Sequence, residues 1–408
     1  MRHDPYYQPN VPDYVPAGAV YDLNIYAPQH EDLDPFESFK RLQDIGLPDI
    51  FWTRNNGGHW IALRGDVITE IAKDTTHFSS RRFFVPDEQN FESDLFIPLM
   101  ADPPEHTAYR KIAATVFTPR KILALEPSVR ALTAALLRDL KPRGGCEFMS
   151  EFSLQMPIIV FMQLMNLPLE DRLELLDIAG RIVRPPAAGE QRDDALKSLF
   201  RYLAPIIGER RQHPGADMIS TLSRAERAGG GHLTAEEVQG MTATLLIGGL
   251  DTVAASLGWF IRYLADNPAQ RRRLIDEPGL IRAAAEELFR RFPVTTTGRN
   301  LTGDHEFGGL TFRRNDHVVW AAAMYNLDDR IFPNPMEVDF GRRRGTYLSL
   351  GHGPHFCLGA TLAQLEFRIF LEEWLKHIPE FQVSAEQQAK YRSAMIIAYQ
   401  SLPLVWAA

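Results

Sequence analysis

Apolar residues recur at helical spacing through most of the chain, over 101–122, 124–141, 150–165, 168–180, 192–212, 234–266, 268–290 and 357–378. That pattern predicts a mainly α protein. Two stretches break the rhythm. HWIALRG at 59–65 and GGLTFRRNDHVVWAA at 308–322 alternate or run apolar with β-branched and aromatic residues, so small β-sheets are expected there. Residues 1–35, rich in Pro and Tyr, read as an extended arm on the surface of a single domain spanning 1–408. The Gly-rich stretch Ala228–Gly231 reads as a loop inside that domain. The best-delimited element runs from Ala235 to Asp266, with Thr234 and Glu237 as a capping box and Asn267-Pro268 as its stop. At about 1.5 Å per residue it is roughly 48 Å long, enough to cross the molecule. Its apolar middle holds Gly248, Gly249, Asp251 and Thr252, poor choices for a buried helix centre, and such local departures mark functional positions.

Composition narrows the picture. A chain of 408 residues can enclose a large cofactor, since about 75% of the unfolded surface is buried at this size. The net charge of −8 gives no general attraction for nucleic acid or anionic membrane, and neither is expected as a partner. The basic run Arg342-Arg343-Arg344 reads first as a solvated face. Two cysteines far apart, Cys146 and Cys357, do not make a disulfide scaffold and fit a reducing cytoplasm. The polar, Pro-rich N-terminus lacks a signal-peptide core, and no run of about 18 apolar residues appears, so neither secretion nor a membrane anchor is expected.

The chemistry concentrates at Leu350-Gly-His-Gly-Pro-His-Phe-Cys357-Leu-Gly-Ala. Glycines around one cysteine allow a tight backbone that approaches a flat partner closely. A helical pattern opens just after Cys357, so its sulfur is expected at a helix N-terminus, where the dipole lowers a thiol pKa toward that of a metal ligand. Cys146, after Pro-Arg-Gly-Gly, reads as a loop or core thiol with no role.

This segment resembles the signature of the cytochrome P450 family, F-x-x-G-x-x-x-C-x-G, with Leu350 where Phe is usual. Glu287-Leu-Phe-Arg290 matches the family's E-x-x-R ion pair, and Gly249-Leu250-Asp251-Thr252 its oxygen-activation motif. DPPEH at 102–106, IGGLDT at 247–252, GHGPHFCLG at 351–359 and SLPLVW at 401–406 are most similar to the bacterial camphor-hydroxylating branch. The resemblance, covering 35 to Trp406, implies the P450 fold: haem b (iron protoporphyrin IX) between the long helix and the cysteine loop. It implies Cys357 as iron ligand, Gly359 beside it, and His106, Arg110, Arg299 and His355 on the haem propionates. Thiolate ligation of haem favours O–O cleavage. Asp251 and Thr252 would deliver protons, with Arg184 holding Asp251; a plain alternative for Thr252 is a bond back to the Gly248 carbonyl. Glu287 and Arg290 would be structural.

Alignment along the same branch places Phe84, Ser93, Asp94, Leu99, Val183, Thr244, Ile247, Gly248, Thr295, Met395 and Ile396 around the substrate. Together these positions imply a compact apolar substrate such as a terpenoid or norisoprenoid, while Ser93 or Asp94, standing where relatives carry a ketone-bonding tyrosine, puts camphor itself in doubt. No flavin or iron–sulfur motif is visible, so electrons are expected from outside the chain, and the resemblance to this branch implies a [2Fe–2S] ferredoxin served by an NADH-dependent flavoprotein reductase. It would dock beneath Cys357 on Arg110 and Arg342–Arg344, and Thr69, Thr76 and Thr107, at positions basic in relatives, point to a different ferredoxin. The alternatives are a peroxygenase, which the intact Asp251–Thr252 pair disfavours, and a haem-based sensor or electron carrier.

Overall fold

The computed structural model describes residues 10–27, 33–82, 85, 96–183, 190–227, 230–343 and 345–407, with backbone alone for 183 and 190–193. The helix Ala235–Asp266 is the spine. Both halves of its capping box form: Thr234 accepts from the Glu237 N–H, and Glu237 accepts from the Thr234 N–H. Helices Gln155–Met165, Arg172–Val183 and Glu190–Gln212 pack along it. It is long and apolar enough to span a membrane, but 72% of its most apolar window is buried inside the molecule. Helix Ala360–His377 packs against Glu126–Leu140 and Ile281–Arg291 and so backs the cysteine loop.

Gly249 has a packing reason for being glycine. A Cβ there would overlap the Phe161 ring of the neighbouring helix, whereas a Cβ on Gly248 would meet nothing within 4 Å. Gly249→Ala is therefore expected to cost about 1–3 kcal/mol of stability, the usual penalty of overpacking. A denaturation midpoint equal to wild type would contradict this contact.

Five strands form the larger sheet in the order Ile50–Thr53, His59–Ala62, His317–Ala321, Thr296–Leu301, Phe78–Ser79. His59–Ala62 and His317–Ala321 run parallel; the other neighbours are antiparallel. Three short strands, Gly145–Glu147, Pro403–Val405 and Gln382–Val383, form a second sheet that buries Cys146 opposite Leu404. The buried apolar residues make one cluster from Val15 to Leu404. Within the arm, Tyr14 donates its hydroxyl to Asp316 at 2.7 Å.

Several boundaries differ from expectation. The stretch 268–290 is two helices, Pro268–Asp276 and Ile281–Arg291, because Pro278 cannot continue the first. Residues 101–122 divide into Glu105–Ala114 and Pro119–Leu123, with Pro119 opening the second. The segment at 150–165 starts as a π turn, Met149–Ser153, before the α-helix. The strand stretch 308–322 is two strands, Leu310–Phe312 and His317–Ala321, and only the second joins the large sheet.

Candidate active site

A cavity of about 390 Å³ lies between the long helix and the cysteine loop. Gly248, Gly249, Asp251 and Thr252 line one wall, and Leu350, Gly351, His355, Cys357 and Gly359 the other. The loop is shaped by two glycines in the left-handed region, Gly351 (φ 73°) and Gly353 (φ 63°). A Cβ on either would lie 3.0 Å from a backbone oxygen, His355 O or Ala72 O, so no larger residue fits without a shift. The Cys357 N–H donates to Leu350 O at 2.6 Å, which turns the sulfur toward the cavity. The Leu350 side chain also lines the cavity.

The electrostatics of Cys357 correct one expectation. The Gly359 N–H and the Arg110 guanidinium both favour the thiolate, but burial is larger and pushes the thiol up. The helix starts only at Ala360, with Gly359 as its N-cap. The terminus therefore does not by itself ionise Cys357; a metal ion does that outright by coordination.

One end of the cavity is cationic, lined by Arg299, Arg110 and two histidines. Arg299 on strand Thr296–Leu301 is buried, spans Trp320 with its guanidinium 5.5 Å from the ring centre, and is pushed down to about 10 by burial. His106 and Arg110 share one face of helix Glu105–Ala114, as their spacing predicted. The His106 ring centre lies 4.2 Å from that of His355. Burial first, then the neighbouring Arg299, lowers His355 to about 2, and burial with Arg110 lowers His106. The Ser80 hydroxyl lies 2.9 Å from His355 Nε2. Both ring nitrogens of His106 and Nε of Arg299 meet no hydrogen-bond partner among the described residues. Buried cations and unpartnered donors around one space suit buried anionic groups, which need such partners. Haem, with two propionates and a flat ring, fits this donor set together with the Cys357 sulfur opposite the glycine pair.

On the long helix, Asp251 is buried and Thr252 donates its hydroxyl to Gly248 O at 2.7 Å. The plain alternative for Thr252 is thus present; it leaves the oxygen on the cavity wall. Leu99, Thr244, Ile247, Gly248, Thr295, Met395 and Ile396 all line the cavity. Two of these segments are held together where the Thr296 N–H donates to Met395 O at 2.8 Å. Phe84, Ser93, Asp94, Arg184 and Arg344 lie outside the described residues, as does the Val183 side chain. Arg342 is not a docking cation: its guanidinium donates to Glu287 and to the carbonyls of Pro333, Asn334 and Glu337. Arg343 is exposed.

Sequence reading missed Phe96, Phe161, Ile182, Val294 and Glu366, which also line the cavity. Glu366 was findable as a glutamate on the apolar face of helix Ala360–His377. It is fully buried, neither carboxyl oxygen has a partner among the described residues, and burial pushes its carboxyl well above the ordinary 4.5. The folded state therefore holds this proton where the unfolded chain releases it. Stability from this group is complete below the ordinary value and is lost as pH rises. Glu366→Gln, which cannot ionise, should gain thermal stability over wild type as pH rises from 5 to 8; a pH-independent difference would contradict the neutral assignment.

A half-buried cysteine facing a chamber with cationic anchors at one end and a broken helix pattern overhead defines a haem-thiolate oxidoreductase. The chain belongs to the cytochrome P450 family: the family profile "Cytochrome P450" matches residues 146–395. It is 32% identical over 407 residues, 97% of each chain, to "Probable cytochrome P450 127A1" of Sinorhizobium fredii. The crystal structure of CYP101J2 superposes with TM-score 0.91 at 34% identity, covering 98% of this chain and all of the other. That of CYP101C1 gives 0.89 at 36% identity with the same coverage. The fold is the mainly α P450 fold with small sheets, the activity is that of a P450 monooxygenase using O2 and a redox partner, and the family's cofactor is haem b.

Proposed function

We propose that the protein hydroxylates a compact apolar substrate of terpenoid or norisoprenoid type, as a single cytoplasmic domain fed by a [2Fe–2S] ferredoxin and an NADH-dependent flavoprotein reductase. The observation that carries the substrate class is the cavity wall beside the long helix. Leu99, Ile247, Met395 and Ile396 supply apolar surface there, and Thr244 and Thr295 are its modest polar points. Such a wall favours shape and apolar area over hydrogen-bonded recognition. Haem bound by Cys357 supplies the O–O bond cleavage. The chain's own residues bind, orient and move protons. His106, Arg110, Arg299 and His355 would hold the propionates, and the Gly359 N–H faces the Cys357 sulfur. The Thr252 hydroxyl can swing from Gly248 O to hold a water, and Asp251, held by Arg184, passes protons inward from solvent. Glu287 and Arg290 keep the loop in place.

The testing experiment is a spin-state titration of the haem-loaded protein with terpenoids, ionones and camphor, followed by product analysis with a ferredoxin and reductase. A low- to high-spin shift and a hydroxylated product are expected with at least one apolar compound, and no response to the whole panel removes the substrate class. Asp251→Asn keeps the shape but cannot relay a proton, so product formation should fall on the order of 10²-fold with the substrate-induced spin shift unchanged. Unchanged turnover and solvent isotope effect in this variant would remove the relay.

A further inference from the structure

Three side chains outside the haem cavity carry ligand chemistry that the monooxygenase reaction does not use. Asp74 ends the helix Gly65–Lys73, His77 leads into the strand Phe78–Ser79, and His305 opens the hairpin of His305–Phe307 and Leu310–Phe312. One ligating atom of each lies within 4.8 Å of those of the other two, and all three are half-buried. None lines the cavity.

The backbone around these side chains is fixed before any ion arrives. The Thr302 N–H donates to His77 O at 3.0 Å and its hydroxyl to Thr76 O at 2.8 Å, which fastens the two ligand-bearing segments together. One oxygen of Asp74 accepts the Thr76 and His77 N–H groups at 3.0 and 3.1 Å. The other lies 2.6 Å from His77 Nδ1. The His77 and His305 rings stack at 3.9 Å with 13° between planes, and Phe78 presents its edge to His305 at 5.7 Å. Stacked rings hold their in-plane lone pairs parallel, so one imidazole turns about its side-chain bonds for both to reach a single ion.

We infer that Asp74, His77 and His305 form a surface binding site for one divalent transition-metal ion of the zinc class, with water completing its shell. Two imidazoles and a carboxylate suit zinc, nickel or copper, while magnesium and calcium prefer all-oxygen sets. Ligands at about 2.0–2.1 Å from a tetrahedral ion lie roughly 3.4 Å apart, so an ion bound by both Asp74 and His77 Nδ1 parts that pair from its present 2.6 Å and replaces their hydrogen bond. Asp74 acts either as third ligand or as the carboxylate that orients His77. The ion would tie the hairpin to the segment whose Ser79 and Ser80 hold Asp102, and Ser80 also reaches His355.

The test is equilibrium dialysis of chelator-stripped, haem-loaded protein against zinc, with metal analysis, for wild type, His305→Phe and Asp74→Asn. Phenylalanine keeps the stacked ring and removes the donor, and an unchanged ferrous carbon-monoxide spectrum reports an intact fold. Wild type should take up one zinc per chain at micromolar concentrations, and each variant should bind about 10- to 100-fold more weakly. Zinc should slow amide exchange at 74–79 and 304–308 in wild type alone. Wild type that takes up no zinc, or variants that bind as wild type does, overturn the site.

Discussion

Cys357→Ser is expected to abolish the red-shifted ferrous carbon-monoxide spectrum of a thiolate-ligated haem, and hydroxylation with it. The substitution exchanges one atom in a loop whose shape does not depend on sulfur. The backbone bond from Cys357 N to Leu350 O, at 2.6 Å, and the left-handed Gly351 and Gly353 stay as they are. What is lost is the one ligand that pushes electron density onto the iron and favours O–O cleavage. Haem should still enter, because Arg299, His106, Arg110 and His355 are untouched, so the variant should bind haem with an altered spectrum. The other cysteine cannot substitute. Cys146 sits on strand Gly145–Glu147 opposite Leu404, outside the cavity lining, with its thiol pushed up to about 12 by burial. Circular dichroism equal to wild type, together with loss of the thiolate spectrum, is the expected pair of results. A retained thiolate spectrum would remove Cys357 as the ligand.

The parts of this molecule that announced themselves in sequence are those whose signal is local. Thr234, Glu237 and Asn267-Pro268 delimit the long helix because caps and stops act within one turn. The same logic would have found helix Pro35–Asp44, whose Asp34 and Glu37 form a full capping box with Pro35 at the first position, just where the stretch read as an arm gives out. The ligand loop was legible because two of its glycines are required by backbone geometry around a single cysteine. What stayed hidden depends on contacts between distant segments. The pairing of Thr296–Leu301 with His317–Ala321, which delivers Arg299 to the cavity, leaves no periodic mark beyond short apolar runs. Gly249 stood out, but only Phe161, on another helix, explains it. Glu366 could be placed on an apolar helix face, but only the packing shows it without a partner among the described residues. Arg342 looked like surface charge until four acceptors proved to surround it. Its charge belongs to the interior.

Glu287→Ala is expected to cost about 3–5 kcal/mol, the penalty for leaving a buried partner charge uncompensated. A surface i, i+3 pair would lose at most a few tenths of a kcal/mol, so the size of the effect separates the two kinds of bridge. Glu287 and Arg290 are both buried and meet in two parallel bonds of 2.8 and 2.9 Å. Glu287 also accepts from Arg342 Nε at 2.9 Å and from the Asp339 N–H at 3.1 Å. Alanine strands two guanidinium groups at once. Against a total stability of about 5–15 kcal/mol, that loss is a large fraction and should lower the urea midpoint clearly. The damage also has a path to the iron ligand. Arg290 O accepts from Asn326 Nδ2 at 2.9 Å, and Asn326 Oδ1 accepts from the Leu348 N–H at 2.6 Å. Leu348 begins the turn whose Leu350 O holds the Cys357 N–H. Glu287→Gln keeps an acceptor for Arg342 and Asp339 while removing the charge, so it should fall between wild type and alanine in urea midpoint and in haem retained after gel filtration. Breaking the pair from the other side, Arg290→Ala should match the alanine at 287, since it also releases the carbonyls of Asn326, Pro335 and Glu337. If Glu287→Ala unfolded at the wild-type urea midpoint with its haem in place, the pair would be ornamental and the loop would owe its shape to the glycines alone.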